Sequence, residues 1–588
     1  MKNTLWLIWD VLTRRQRRAA VALFLLMVVG MLLETLGVGL IIPAFVLMTQ
    51  ANLASRYPSL APLLRMLGNP DREHLVVVGM LALVVVYAIK AVFLAFLFWR
   101  QTRFVGRVQA ELSHRLFATY LGQPFSFHLL RNSAELINNV VGEVAQFSQT
   151  CLMAGLNMLT ELLVVLGISM LLLAVAPVGA IAVAAVFGLP AWGFHRLTER
   201  HLLRWGTARQ HHENLRMQHL QQGLGGVKEL LLFGREANCL DAYHGHNTGV
   251  ATAVSRHQLL QQLPRLGLEL LAVCALAGLV IVMLLTGRTL DSLLPILGLF
   301  AAAAFRLLPS ANRVINAMQT IRYALPAVKV IHDELRLSRV SVQPTAACAS
   351  DIRLRDALTL EGVSFQYPGR SDATLHEINL RIARGSCIGF IGGSGAGKST
   401  LVDVILGLQT PTTGRVCADS VDIQKNLRGW QAHIGYVPQA IFLSDDTLRR
   451  NVAFGLTDSE IDDAAVMRAI RAAQLDEFVA SLPASLGTTV GERGVRLSGG
   501  QLQRIGIARA LYHDPEVLVL DEATSSLDAA TERGVMAAVR TLRGRKTLII
   551  VAHRLSTVEH CDWLYRLEAG HIVDGGEPPQ VLAAAARP

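Results

Sequence analysis

Long apolar runs alternate with basic and polar stretches along the first 320 residues of the chain. A helix needs about 20 apolar residues to cross the roughly 30 Å hydrocarbon layer of a bilayer. Six runs approach or exceed this length, and the fourth and sixth are the weakest signals: 19–48, 75–99, 152–176, 178–192, 266–285 and 290–304. The pattern predicts an α-helical membrane domain over residues 1–330, with six transmembrane helices and both ends on one side.

Arginine clusters orient this domain. They precede the first run and follow the second: Arg14, Arg15, Arg17 and Arg18, then Arg100, Arg103, Arg107, Arg115 and Arg131. Because cytoplasmic loops carry the excess of Lys and Arg, these segments are expected in the cytoplasm. The connections 100–150 and 193–263 have helical periodicity, so they predict long cytoplasmic extensions that turn at 124–131 and 223–230.

The first residues have their own pattern. Leu5, Trp6, Ile8, Trp9 and Leu12 recur at roughly helical spacing before the arginine cluster. This spacing suggests a short helix lying in the cytoplasmic interface of the membrane. The alternative is that these residues simply begin the first span.

The hydropathy falls after residue 330. Residues 331–356 are predicted to be a linker, and residues 357–588 alternate strand-like runs with helical patterns. This alternation is typical of an α/β domain. The fold class is therefore a six-helix membrane domain followed by an α/β domain.

A glycine-rich motif lies early in this second domain. An apolar strand at 387–391 precedes it and a helical pattern at 401–408 follows it, as the P-loop requires. Backbone amides of such a loop surround phosphate oxygens, Lys398 supplies a positive charge near the β- and γ-phosphates, and Ser399 offers a hydroxyl to Mg²⁺. The motif comprises Gly392, Gly393, Ser394, Gly395, Ala396, Gly397, Lys398, Ser399 and Thr400. It predicts that the second domain is an α/β P-loop ATPase domain.

A second motif is the apolar strand 517–521, which ends in Asp521 and Glu522. Asp521 is expected to hold magnesium through water, and Glu522 to polarise the attacking water as a general base. The motif is weak alone, because many strands end in an acidic residue.

Leu497-Ser498-Gly499-Gly500-Gln501 precedes a helical stretch that runs to Tyr512. With this pentapeptide the chain resembles the ATP-binding-cassette superfamily, and the resemblance covers essentially the whole chain as an exporter-type half-transporter. It implies roles for five further elements. They are Tyr367 stacking on adenine, Gln439 contacting Mg²⁺ and sensing the membrane domain, the exporter-specific loop 489–494, the dimer-contact loop 525–528 and the switch histidine His553.

The resemblance also implies two chains. Ser498, Gly499, Gly500 and Gln501 open a helix, so their amides can receive a phosphate anion. In the superfamily they complete the nucleotide site of the opposite cassette, and this chain carries one cassette. A homodimer is expected, and a heterodimer stays open.

Ionisable residues at membrane depth are costly and suggest function. The candidates are Glu34, Lys90, Glu161, Glu269, Arg306 and Arg313. Arg306 and Arg313 are seven residues apart and share one helix face, which would suit an anionic cargo along a path that includes Glu34 and Lys90. The alternative is that Arg313 lies in the cytoplasm, or that these groups pair with one another.

Three segments resemble the lipid-linked oligosaccharide flippase of bacterial N-glycosylation: 34–43, 133–143 and 305–313. The resemblance implies flipping of a polyprenyl-pyrophosphate-linked oligosaccharide or related glycolipid from the inner to the outer leaflet of the bacterial inner membrane. It also implies that residues 59–67 form a short helix. The alternative is an exporter of other lipids or amphipathic compounds, of the lipid A or multidrug type.

Composition and charge argue against several other classes of protein. Hydrophobic residues make up 52% and charged residues 17%, which excludes a disordered chain. Seven cysteines without metal-ligand spacing indicate reduced thiols. The pI near 9.5 allows a nucleic-acid ATPase, but the basic half is also the apolar half, so no nucleic-acid partner is expected. A non-hydrolysing channel or regulatory subunit would be expected to lack Glu522.

Overall fold

The computed structural model describes residues 2–40, 72–175, 177–285, 290–341, 352–491, 494–495, 497–523, 529–552 and 554–585. The chain divides into two compact units. The first comprises Met1–Gln123 and Arg131–Val342, and the second comprises Pro124–Leu130 and Gln343–Pro588.

The membrane unit is helical. Its long helices cover all six predicted spans, although residues 41–48 of the first span lie outside the described residues. The elements from residue 2 to 341 are α1 Lys2–Val11, α2 Arg14–Gly39, α3 Arg72–Leu121, α4 Phe125–Leu130, α5 Ser133–Asn138, π-helical turns Asn139–Glu143 and Gln146–Leu152, α6 Met153–Val175, α7 Pro177–Gly225, α8 Val227–Phe233, α9 Glu236–Leu285 and α10 Leu290–Ser341.

Three stretches within the described residues are long and apolar enough to cross a membrane. They are Arg14–Gly37, Val76–Leu121 and Ser133–Leu171. The helix α9 has 50 residues, which is roughly 75 Å at 1.5 Å per residue and exceeds the bilayer core. The predicted helical extensions are therefore present.

Two details near the ends of the membrane unit refine the predictions. The helix α1 is separate from α2, as the interfacial interpretation requires, and its Trp6 and Trp9 are exposed. The helix α10 runs past residue 330 to Ser341. Residues 331–341, predicted as linker, are therefore helical, because the helical pattern continues after the hydropathy falls. The segment 59–67 lies outside the described residues.

A buried ion pair joins the π-helical turn Asn139–Glu143 to α7. Arg209 donates from Nη2 to both carboxylate oxygens of Glu143, at 3.0 and 2.9 Å. The side chain of Glu143 is 0% exposed and that of Arg209 is 9% exposed. One helical turn away, Asn138 donates to Asn214 at 2.6 Å. These contacts hold the two helices together by polar groups that have little access to water.

The second unit has the predicted α/β fold. A four-stranded antiparallel sheet has the order β2-β1-β4-β5, and a six-stranded sheet has the order β10-β9-β3-β8-β7-β6. The strands are β1 Ala357–Phe365, β2 Leu375–Ala383, β3 Cys387–Ile391, β4 Thr413–Ala418, β5 Val421–Asp422, β6 Ile434–Val437, β7 Val517–Asp521, β8 Thr547–Val551, β9 Trp563–Glu568 and β10 His571–Gly576.

In the larger sheet β9, β3, β8, β7 and β6 are parallel. The residues of β3, β7 and β8 are all buried, as expected for a parallel sheet covered on both faces. The α-helices are α11 Lys398–Ile405, α12 Leu427–Gln431, α13 Leu448–Val452, α14 Asp463–Ala472, α15 Asp476–Ser481, α16 Gly499–Leu511, α17 Ala529–Arg540, α18 Leu555–Val558 and α19 Pro578–Ala585. The carboxyl ends of β3, β7 and β8 meet at one edge, where ligands of such sheets bind.

Six cysteines lie in the described residues, and all six are free thiols. The Sγ atoms of Cys387 and Cys561 lie 3.3 Å apart in the core. Cys348 lies outside the described residues, and the reduced state of the thiols stays a prediction.

The buried ion pair in the membrane unit gives a stability prediction. Arg209→Ala leaves the buried Glu143 carboxylate without its partner, so we expect a loss of about 3–5 kcal/mol in the free energy of unfolding. The measurement is the temperature at which detergent-purified protein loses its monodisperse elution peak. Arg265→Ala is the matched control, because Arg265 and Glu269 form an exposed pair that is worth about 0–1 kcal/mol. Equal shifts in the two variants would contradict the role of burial.

Candidate nucleotide-binding site

The P-loop lies between β3 and α11, as predicted. Gly392 and Gly397 have φ angles of +151° and +97°, where side chains are strained. A Cβ on Gly392 would collide with the carbonyl of Leu567, and one on Gly397 would lie 3.1 Å from the carbonyl oxygen of Thr374. Glycine is therefore required for both the conformation and the close packing of this loop.

Lys398 begins α11 and lies under the loop. Its Nζ donates to the carbonyl oxygens of Gly392 and Gly393, each at 3.0 Å. Burial lowers the pKa of Lys398, while the nearby Glu522 and Asp521 oppose this shift. An anion held by the loop would offer the lysine stronger charge-assisted partners than these carbonyls.

Asp521 ends β7 at the same edge of the sheet and is buried. Burial and the charge of Glu522 raise the pKa of Asp521, although hydrogen bonds from Tyr436 and Ser399 oppose the shift. Burial and Asp521 also raise the pKa of Asp403 to about 6. The structure thus brings Ser399 to Asp521, in a pocket where acidic side chains lie close together and the charge of Lys398 opposes part of the resulting shift.

Glu522 follows in a left-handed conformation with φ +49°. Its amide donates to the carbonyl oxygen of Val551 at 3.0 Å. Gln439 comes from the loop after β6, and its Nε2 donates to Oε2 of Glu522 at 2.7 Å. The fold therefore brings together two predicted residues that are 83 positions apart in sequence.

Tyr367 lies beside the start of α11. Its hydroxyl is hydrogen-bonded to Oγ1 of Thr400 at 3.1 Å, and its ring meets the edge of Phe365 with the centroids 4.9 Å apart. The aromatic side chain is thus next to the P-loop helix, as a base-stacking role requires.

The signature residues begin α16. The Ser498 hydroxyl accepts from the Gln501 amide at 3.3 Å, and the Gln501 side chain accepts from the Ser498 amide at 2.9 Å. This capping box fixes the helix start. Gly499 and Gly500 form its first turn, where amides lack intrahelical acceptors.

One contact set joins the signature helix to the loop that carries Gln439. Arg509 on α16 donates to the carbonyl oxygens of Phe442 at 2.8 Å and Asn451 at 2.9 Å. Its guanidinium also lies 4.6 Å from the ring centroid of Phe454. The sequence analysis missed Arg509, and it gave no role to Tyr436 or Asp403, because these side chains act through contacts that no local motif encodes.

Some predicted residues lie outside the described part of the chain. They are His553, the loop 525–528 and residues 492–493 of the loop 489–494. Their roles stay predictions.

In the membrane unit, the predicted path residues with described side chains are paired. Lys90 and Glu34 are 2.8 Å apart. Arg313 contacts Glu161 through Nε at 2.6 Å and through Nη2 at 3.2 Å. This is the alternative in which the charged groups pair with one another. The side chain of Arg306 is outside the described part.

Known families match both halves of the chain. The ABC transporter transmembrane region matches residues 20–305, and the ABC transporter family matches residues 375–525. An ATP-dependent lipid A-core flippase from Ralstonia nicotianae is 31% identical over 81% of this chain and 80% of its own length. A flippase of the same name from Chromobacterium violaceum is 29% identical over 91% and 92%.

Two further matches are a relative from Bacillus subtilis and a solved structure. A Bacillus subtilis relative described as a multidrug export ATP-binding/permease protein is 35% identical over 47% of each chain. The solved structure of a bacterial Atm1-family ABC exporter with ATP bound matches with a TM-score of 0.76 and 24% identity, over 97% of each chain. That likeness supports the fold alone. With its membrane region followed by a single ATPase cassette, the chain belongs to the ABC transporter family as an exporter half-transporter.

Proposed function

We propose that this protein uses ATP hydrolysis to flip a glycolipid of the lipid A type from the inner to the outer leaflet of a bacterial inner membrane. The observation that carries the proposal is the set of relatives named lipid A-core flippases, which align over four-fifths or more of this chain. They favour the alternative cargo class of the sequence analysis over the polyprenyl-linked oligosaccharide.

The contacts in the membrane unit bear on how a cargo is bound. Arg313 is paired with Glu161 and Lys90 with Glu34, and because both cargo classes carry phosphate, these pairs do not separate the two. A sugar-rich headgroup depends more on hydrogen bonds than on net positive charge. The polyprenyl-linked cargo is kept as a comparison in the test below.

In the cassette, Lys398 and the amides of Gly392–Gly397 would bind the phosphates, and Tyr367 would stack on the base. Oxygen donors from Ser399, Gln439 and Asp521 suit Mg²⁺. Among the described residues, Oδ1 of Asp521 is buried without a hydrogen-bond partner, which fits a nearby cation. Such an ion would neutralise phosphate charge as it develops.

Glu522 would act as the general base for the attacking water. Its fixed amide and its hydrogen bond to Gln439 hold the carboxylate at the sheet edge. Gln439 must release Glu522 when both residues turn to nucleotide, so the loop movement and the activation of water are coupled. His553 would contact the γ-phosphate.

We further propose a homodimer. The described hydrogen bonds of the Ser498 and Gln501 side chains are with each other's backbone amides, so the amides that would receive an anion are those of Gly499 and Gly500. A second copy would present these amides to the nucleotide of the first, giving two identical composite sites.

The first prediction concerns the catalytic base. Glu522→Gln should lower ATP turnover by a factor of about 10²–10⁴, because the amide cannot accept a proton. The variant should still bind ATP, as measured by retention of a fluorescent ATP analogue. Glu559→Gln, an exposed carboxylate, is the control and should hydrolyse ATP at the original rate. Unchanged turnover in Glu522→Gln would contradict the assignment.

The second prediction concerns cargo. Proteoliposomes with outward-facing cassettes should move a lipid A-type glycolipid, labelled in a core sugar that has a free vicinal diol, away from an impermeant periodate reagent. Protection should require ATP and should be absent with Glu522→Gln. The same assay is run with a polyprenyl-pyrophosphate disaccharide. Protection of that lipid alone would replace our cargo with the original prediction, and protection without ATP would contradict both.

A further inference from the structure

A cavity of about 640 Å³ lies within the membrane unit between α3, the helical segment 149–161 and α10. Its volume is in the range of small-molecule sites. Most of its polar lining is uncharged carboxamide and hydroxyl. These polar lining residues include Gln101, Gln149, Asn157, Thr160, Asn316 and Thr320.

The amides are held in place by their neighbours. Gln101 donates to Thr160 at 3.1 Å, and Gln149 donates to Gln109 at 2.7 Å. Thr320 accepts a hydrogen bond from Gln261 at 2.8 Å. Within the described part of the chain, Oδ1 of Asn316 is buried and has no hydrogen-bond donor. A buried acceptor without a donor is costly, so this cavity is prepared for a ligand or water that donates hydrogen bonds.

The cavity carries no net charge. Its charged lining residues are Glu161 and Arg313, which form a two-point ion pair. A multiply charged phosphate would have to break this pair, whereas hydroxyl groups can bind beside it. Apolar side chains complete the lining, including Leu94, Leu97 and Phe98. They offer a surface for the C–H face of a sugar ring.

The helix that carries Gln149 is unusual. Residues Gln146–Leu152 form a π-helical turn, and such turns are rare and frequent at functional sites. The wider turn places Gln149 and Thr150 in the cavity lining. A regular helix would give the side chains of this segment a different angular spacing.

The depth of the cavity matches a lipid headgroup. The predicted span in α3 ends at Trp99, and the guanidinium of Arg103 lies 5.2 Å from the ring centroid of Trp99. Trp and Arg side chains mark the cytoplasmic interface of membrane proteins. Gln101 lies between them in sequence, so the cavity reaches the level of inner-leaflet headgroups.

We propose that this cavity binds the sugar hydroxyls of a glycolipid headgroup taken from the inner leaflet. The inference rests on the proposed function and deepens it, because it assigns recognition to the sugar rather than to the phosphates or acyl chains. Asn316 and Gln149 are specificity residues that accept and donate hydrogen bonds to the headgroup.

The test uses the full-length protein in nanodiscs and measures stimulation of ATPase activity by two lipids. One is a lipid A-type glycolipid with a disaccharide headgroup, and the other is phosphatidic acid, which has a phosphate but no sugar. The variants are Asn316→Leu and Gln149→Leu, which lie on different helices. Thr102→Val is the control, because its exposed hydroxyl bonds to the carbonyl of Phe98 in its own helix.

Each cavity variant should need about tenfold more glycolipid for half-maximal stimulation, the effect of losing one or two hydrogen bonds. Basal ATPase activity and the response to phosphatidic acid should not change, which also shows that the variants are folded. Thr102→Val should respond like the unsubstituted protein. Glycolipid responses that are equal in the cavity variants and the control would overturn the sugar-binding role while leaving the flippase proposal intact. An unsubstituted protein that does not respond to glycolipid would overturn both.

Discussion

Close spacing of acidic side chains at the carboxyl end of β7 is the constraint on which the cassette depends. Asp521 is buried, Glu522 follows it with a left-handed backbone, and Asp403 lies close enough to share in the effect. Burial and mutual repulsion raise the pKa of Asp521 and Asp403. The charge of Lys398 and hydrogen bonds from Tyr436 and Ser399 offset part of this shift in Asp521, and a bound cation would offset more of it.

The surrounding contacts explain how this charge is used. Lys398 is held by loop carbonyls, and Gln439 is held by Glu522. A bound nucleotide would replace both of these contacts. Arg509 then joins the segment after Gln439 to the signature helix. These contacts link the segment after Gln439 to the helix that our proposal presents to the second copy.

Local motifs made much of this predictable from sequence. The strand 387–391, the glycines of the P-loop and the strand 517–521 occur where the sequence predicts them, because neighbouring residues determine these elements. The pairing of Arg313 with Glu161 spans 152 positions, and periodicity could only leave it as an alternative. The predicted domain boundary at 330 comes before the end of α10 for a similar reason. Hydropathy indicates which residues lie in the membrane, and it does not indicate where α10 ends. The donor–acceptor pattern of the cavity depends on three helices and had no sequence signal.

In the proposed homodimer, residues of both chains are needed to hydrolyse each ATP. The most direct test measures particle mass and ATPase rate on the same nanodisc fractions, separated by the number of protein copies. We predict that hydrolysis is confined to particles with two copies. Full-rate hydrolysis in particles with one copy would contradict the account.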